Sequence, residues 1–101
     1  MNYKISDKTF EDIDFIWLYT METWSVQQAD KYYNLIFDAI EFIAEYPMIG
    51  RDYDTIRKYY RGFTVGSHVI FYRCKKNENT LEIIRILHQS MDVEQRLMEF
   101  F

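Results

Sequence analysis

Along the first half of the chain apolar side chains recur at steps of three and four; along the second half they alternate or form short unbroken runs. The first spacing winds a stripe around a helix and the second fits strands. From Phe10 the stripe continues through Ile13, Trp17, Thr20 or Met21, and Trp24, while Glu11, Asp12, Asp14 and Glu22 lie mainly off it. Just before it stands Ser6, whose hydroxyl can accept from the amides of a first turn, so a helix is expected from about Asp7. Ser25, followed three residues later by Gln28, repeats the signal as a capping-box pattern. Ala29, Tyr32, Tyr33, Ile36, Ile40 and Ile43 then keep helical period to about Tyr46, where Pro47 and Gly50 end it. So short a connection makes the two helices an antiparallel hairpin, and their apolar faces need a further layer.

The second half supplies that layer. "IRKYYRGFTV" (56–65), "HVIFYRCK" (68–75) and "TLEIIRILH" (80–88) are β-branched and aromatic, separated by "GS" at 66–67 and "KNEN" at 76–79, which predicts an antiparallel meander. "NYKI" at the start is β-compatible. In the tail "DVEQRLMEFF", Asp92 is a candidate N-cap, and Val93, Leu97 and Phe100 or Phe101 have helical spacing. The expected fold class is α+β in the order β-α-α-β-β-β, with the helix hairpin packed on one face of an antiparallel sheet and a short C-terminal helix as an optional addition. A single domain over 1–101 is expected, with the opposite sheet face left available for function.

With 76–79 as the loop, Arg73 stands opposite Glu82, Phe71 opposite Ile84 and Val69 opposite Ile86; the charge pair favours this register. His68, Ile70, Tyr72, Cys74, Leu81, Ile83, Arg85 and Leu87 then share one face, and His88 points away from His68. A slip of one residue would instead set His68 opposite His88.

The composition suits one domain with a real core: 101 residues, 49% hydrophobic and 19% aromatic, with no repeat or low-complexity tract. No apolar run approaches the roughly 20 residues of a membrane span, so no membrane partner is expected. The N-terminus lacks a secretion signal, and a lone Cys74 suits a reducing compartment, so the expected location is cytoplasmic. The net charge of −4 is uneven: residues 1–54 hold 4 basic and 11 acidic side chains, and residues 55–101 hold 8 basic and 5 acidic. The second half is the candidate contact surface, yet too weakly basic for sequence-specific nucleic-acid binding.

Candidate chemistry gathers in "RILHQSMD" (85–92). His88 can move a proton near neutral pH, Arg85 can steady a developing phosphorane, and Tyr72 can orient a base or phosphate. The plainer alternative is that His88 caps a strand end through Asp92 or a backbone carbonyl while Arg85 pairs with a helix carboxylate. No metal or cofactor is expected. His68 and Cys74 stand about 20 Å apart along one strand, too far for one ion, and neither a CxxC or HExxH pair nor a phosphate-cradling glycine loop occurs.

"IWLYTMETWSVQQADKYYNLI" (16–36), "YPMIGRD" (46–52), "VGSHVIFYR" (65–73) and "RILHQSMD", in that order, resemble the ParE family of toxins within the RelE/ParE superfamily. The resemblance spans nearly the whole chain. It implies the same element order, a ParD-like antitoxin that neutralises the toxin, and DNA gyrase as the target, inhibited by binding. Arg61, Arg73, Arg85, His88, Asp92 and Arg96 are then the candidate contacts, with no catalytic residue. RelE-type relatives are ribosome-dependent mRNA endonucleases that use arginines with a late Tyr or His. Arg85 matches such an arginine, but the tail offers only Arg96, so His88 would have to substitute, with Tyr72. That reading stays open as the alternative, beside an inactive homologue acting only as an antitoxin-binding or autoregulatory partner.

Overall fold

The computed structural model describes residues 1–75 and 77–99. The elements run β1 (Asn2–Ile5), α1 (Asp7–Thr23), α2 (Val26–Glu45), β2 (Arg51–Asp52), β3 (Tyr60–Val65), β4 (His68–Arg73), β5 (Thr80–His88) and α3 (Val93–Glu99). Both helix starts form as expected: Ser6 accepts from the Thr9 amide and Ser25 from the Gln28 amide, each at 3.1 Å. The Phe100 or Phe101 end of the predicted tail stripe, and Lys76 in the 76–79 loop, lie outside the described residues.

The sheet order is β1-β5-β4-β3-β2. The predicted meander β3-β4-β5 is antiparallel, and β1 joins it parallel to β5, so the sheet is mixed. The hairpin α1–α2 lies against one face, where Ile13, Ile16, Ile36, Ile40 and Ile43 meet Ile70, Tyr72, Leu81, Ile83 and Ile86. The opposite face is not bare as expected. Leu97 of α3, fully buried, closes a second, smaller core over Tyr53, Tyr60, Val69, Phe71 and Leu87.

Along α1 the buried stripe is Thr9, Ile13 and Ile16, turned about one position from the predicted one. Phe10 is 49% exposed and Trp24 75%, whereas Trp17 turns to α2 and donates to Asp30 Oδ1 at 2.9 Å. Close approach to β5 favours the compact side chains: Thr9 Oγ1 donates to the Ile83 carbonyl at 3.2 Å, a contact that a ring at this position would prevent. On α2, Tyr33 likewise turns outward against Phe37, and Ala39 and Ala44 take buried places.

Both candidate registers occur, one in each half of the β4–β5 pair. Arg73 faces Glu82 and Tyr72 faces Ile83; past a bulge, Phe71 faces Arg85, Ile70 faces Ile86, Val69 faces Leu87 and His68 faces His88. Ile84 is the extra residue, and it inverts everything after it, so Ile86 joins the helix-side core and Leu87 the far one. The carbonyls at this irregularity are held by α1: Ser6 Oγ donates to Ile84 O at 2.9 Å, and Ser6 N to Ile83 O at 3.0 Å.

Gly66 sits in the two-residue β3–β4 turn at φ +55°, and a Cβ there would lie 2.6 Å from Tyr32 Oη. Left-handed backbone and the close ring both demand glycine. Gly66→Ala is expected to lower unfolding free energy by about 2 kcal/mol in urea titration, and to shift the His68 ring signals through Tyr32.

Candidate functional site

The bulge brings together what the register favoured from the sequence would have kept apart. His68 and His88 face each other edge to face, with ring centroids 5.2 Å apart, correcting the expectation that His88 points away. Tyr32 of α2 locks the first ring: its hydroxyl lies 2.6 Å from His68 Nδ1, donates to Val65 O at 3.1 Å and accepts from Ser67 N at 3.2 Å. With the hydroxyl proton on Val65 O, Nδ1–H donates to Tyr32 and His68 Nε2 keeps a lone pair. The other ring is held by its turn. Ser90 N donates to His88 Nδ1 at 3.0 Å, which leaves the proton on Nε2; the expected partner Asp92 instead accepts from Gln95 N at 3.1 Å and caps α3.

Burial, with the neighbouring His88 second, depresses the His68 pKa from 6.5 to about 4, against a smaller opposing pull from Asp12. The unfolded chain takes this proton below about pH 6.5 and the folded chain resists it. The contribution is therefore complete above that pH and is lost as pH falls towards about 4. The urea midpoint of the protein should accordingly fall relative to that of His68→Phe as pH drops from 6.5 to about 4.

The proposed cleavage trio does not assemble. Tyr72 is fully buried; its hydroxyl donates to Pro47 O at 2.6 Å and accepts from Gly50 N at 3.0 Å, and burial raises its pKa. Arg85, expected on one face with Tyr72 and His68, reaches α1 instead: Nε lies 2.8 Å from Asp12 Oδ2 and Nη2 3.0 Å from Oδ1. That bond holds its guanidinium still more firmly protonated. Asp12 Oδ2 also accepts from Ile86 N at 2.9 Å, covering the β5 edge where β1 has ended. This is the helix carboxylate of the plainer sequence reading.

The other candidates are dispersed. Arg61 donates to Gly50 O at 2.8 Å and approaches Asp52 at 4.0 Å, so it fastens the loop after α2. Arg73 pairs with Glu82 at 3.7 Å across the strands and ends β4 about 17 Å from His68 by strand rise. Arg96 lies in α3. Cys74, its thiol pKa raised by burial, follows Arg73 at the same far end. Among the described residues no three His, Cys, Asp or Glu side chains come together as a metal would need.

Two residues carry roles that the hydrophobic pattern hides. Asp12 reads as solvent-facing and Tyr32 as core, because period reports the face of a helix but not the strand edge beside it. The one available signal was the register that sets His68 opposite His88. The result is a cleft of about 560 Å³ between the end of α1, the start of α2 and the His68–His88 end of the sheet. Its lining includes exposed Phe15, Tyr19 and Trp24.

The family model for the ParE toxin of the type II toxin-antitoxin system parDE matches residues 3–93. The chain belongs to the ParE toxin family. It is 41% identical over 95 residues to the toxin ParE1 of Caulobacter vibrioides, which spans 94% of this chain and 96% of that relative. It is 40% identical over 95 residues, with the same coverage, to the toxin ParE1 of Mycobacterium tuberculosis. A solved chromosomal ParDE TA system from P. aeruginosa shares the fold at TM-score 0.75, covering 87% of this chain and 95% of that one at 19% identity. As a ParE-family toxin the chain keeps a packed α+β scaffold, and among the described residues no helix is long and apolar enough to cross a membrane.

Proposed function

We propose that this ParE-family chain inhibits DNA gyrase by binding it, and that a ParD-like antitoxin neutralises it. The observation that carries the choice of binding over RNA cleavage is the state of Tyr72 and Arg85. The Tyr72 hydroxyl is committed to Pro47 and Gly50, and Arg85 to Asp12. A phosphoryl-transfer site needs such groups aimed at an open position near the scissile bond. Support for a protein partner comes from the exposed apolar rim around Phe15 and Trp24, a contiguous surface of the kind that partners cover. The antitoxin docks by coupled folding, laying apolar side chains over this hairpin surface.

The test is a supercoiling assay with purified gyrase and relaxed plasmid. The expected result is dose-dependent loss of supercoiling, restored by the product of the neighbouring antitoxin gene. Unchanged supercoiling with a protein that circular dichroism shows folded would reject the proposed target.

A further inference from the structure

The cleft at the His68–His88 end of the sheet has a specific chemistry. Its walls include Phe15, Tyr19 and Trp24, and among the described residues none of the side chains lining it is an acid, a lysine or an arginine. Its floor holds two imidazoles whose Nδ1 atoms are already engaged, by Tyr32 and by Ser90. On these two rings each Nε2 is left for an occupant: with Tyr32 donating to Val65 O, His68 Nε2 is an acceptor and His88 Nε2–H a donor, while Thr20, Gln28 and Ser67 add polar groups to the lining. The depressed proton affinity of His68 keeps that acceptor unprotonated at neutral pH. A metal fits poorly, because a cation on His88 Nε2 would displace the proton that lets Nδ1 accept from Ser90.

A phenolic hydroxyl satisfies both groups with one oxygen, donating to one nitrogen and accepting from the other. An oxygen bonded to both nitrogens is bent, so the two would stand about 4.5–5 Å apart, within reach of facing rings whose centroids are 5.2 Å apart. The ring behind that hydroxyl would meet the aromatic walls, and a charged group would find no counter-ion. The exposed apolar rim around Phe15 and Trp24 suits a ring delivered by a protein segment better than a free small molecule.

We propose that the cleft is the anchor pocket for a tyrosine side chain presented by a protein partner, with the ring among Phe15, Tyr19 and Trp24 and the hydroxyl bridging His68 Nε2 and His88 Nε2. The proposal rests on the reading that the chain acts through a protein partner, and deepens it by naming the residue type gripped.

The test is a titration of the full chain, with ring-labelled histidines followed by NMR, using N-acetyl-L-tyrosinamide and N-acetyl-L-phenylalaninamide as matched probes. The expected result is saturable movement of the His68 and His88 ring signals, with the tyrosine probe at least about fivefold tighter, the order of one or two net hydrogen bonds. His88→Ala, altered at an exposed position, should keep the fold and lose the preference. Equal affinity of the two probes overturns the proposal, as does movement confined to other residues. So does p-cresol binding the pocket while the blocked tyrosine is excluded. Gyrase takes no part in the readout, so failure of this proposal is distinguishable from failure of the proposed target.

Discussion

Asp12→Ala is expected to lower unfolding free energy by about 3 kcal/mol, the lower end of the range for breaking a buried pair by removing one partner. The side chains of Arg85 and Asp12 are 23% and 14% exposed, so solvent softens the effect without abolishing it. Two losses combine. The guanidinium forfeits both bonds to the carboxylate, and the Ile86 amide at the β5 edge forfeits its acceptor. Urea unfolding measures the total, and Arg85→Ala with the double variant isolates the pair. The double variant should be less destabilised than the summed singles by more than 1 kcal/mol, on the order expected for contacting residues. Additive losses would mean that Asp12 acts on the strand edge alone.

Leu97→Ala should cost about 2–4 kcal/mol, as for a leucine removed from a closed core, with most of the change at α3. Seven residues are too few to hold a helix by themselves, and Leu97 is the buried residue of α3. Around it the dock includes the far-face core and Arg57 Nη1, which donates to Leu97 O at 3.3 Å, with an exposed Arg51–Glu94 ion pair at 3.8 Å. Without that side chain α3 should detach, and trypsin should cut after Arg96 far sooner while the α1–α2 core stays closed. Urea titration together with timed proteolysis reads both effects. Unchanged proteolysis would show that the far face does not depend on α3.

Much of this architecture is legible in the chain because local signals agree with it. Ser6 and Ser25 mark both helix starts, Gly66 marks the tight turn, and Arg73 with Glu82 fixes the loop-side register. What escapes is whatever depends on one element seen from another. Between Leu81 and Leu87 apolar side chains serve both covered faces, Ile83 and Ile86 on the helix side and Ile84 and Leu87 on the far side, so alternation is lost and the bulge at Ile84 is invisible. The α1 stripe is misread through its aromatic residues: Phe10 and Trp24 are exposed and Trp17 bonds Asp30 of α2, while the compact Thr9 meets β5. Pairing β1 beside β5 joins opposite ends of the sequence, which no local pattern records.

The candidate site follows the same division. Residue types pointed to Arg85, His88 and Tyr72, but chemistry requires them to be aimed and available, and the fold assigns two of them to Asp12 and to the loop after α2. His88 proves significant for a neighbour the favoured register had excluded, His68. The family resemblance was legible from motif order because several of the matching stretches are structural: "VGSHVIFYR" holds the Gly66 turn and the locked His68.

That the toxin works by gripping a protein rather than cutting RNA is tested most directly in a translation extract programmed with a defined message, followed by primer extension. At concentrations that halt gyrase supercoiling, the message should remain full length with and without the protein. Message cut within the ribosomal reading frame, and spared when His88→Ala replaces the toxin, would contradict the account.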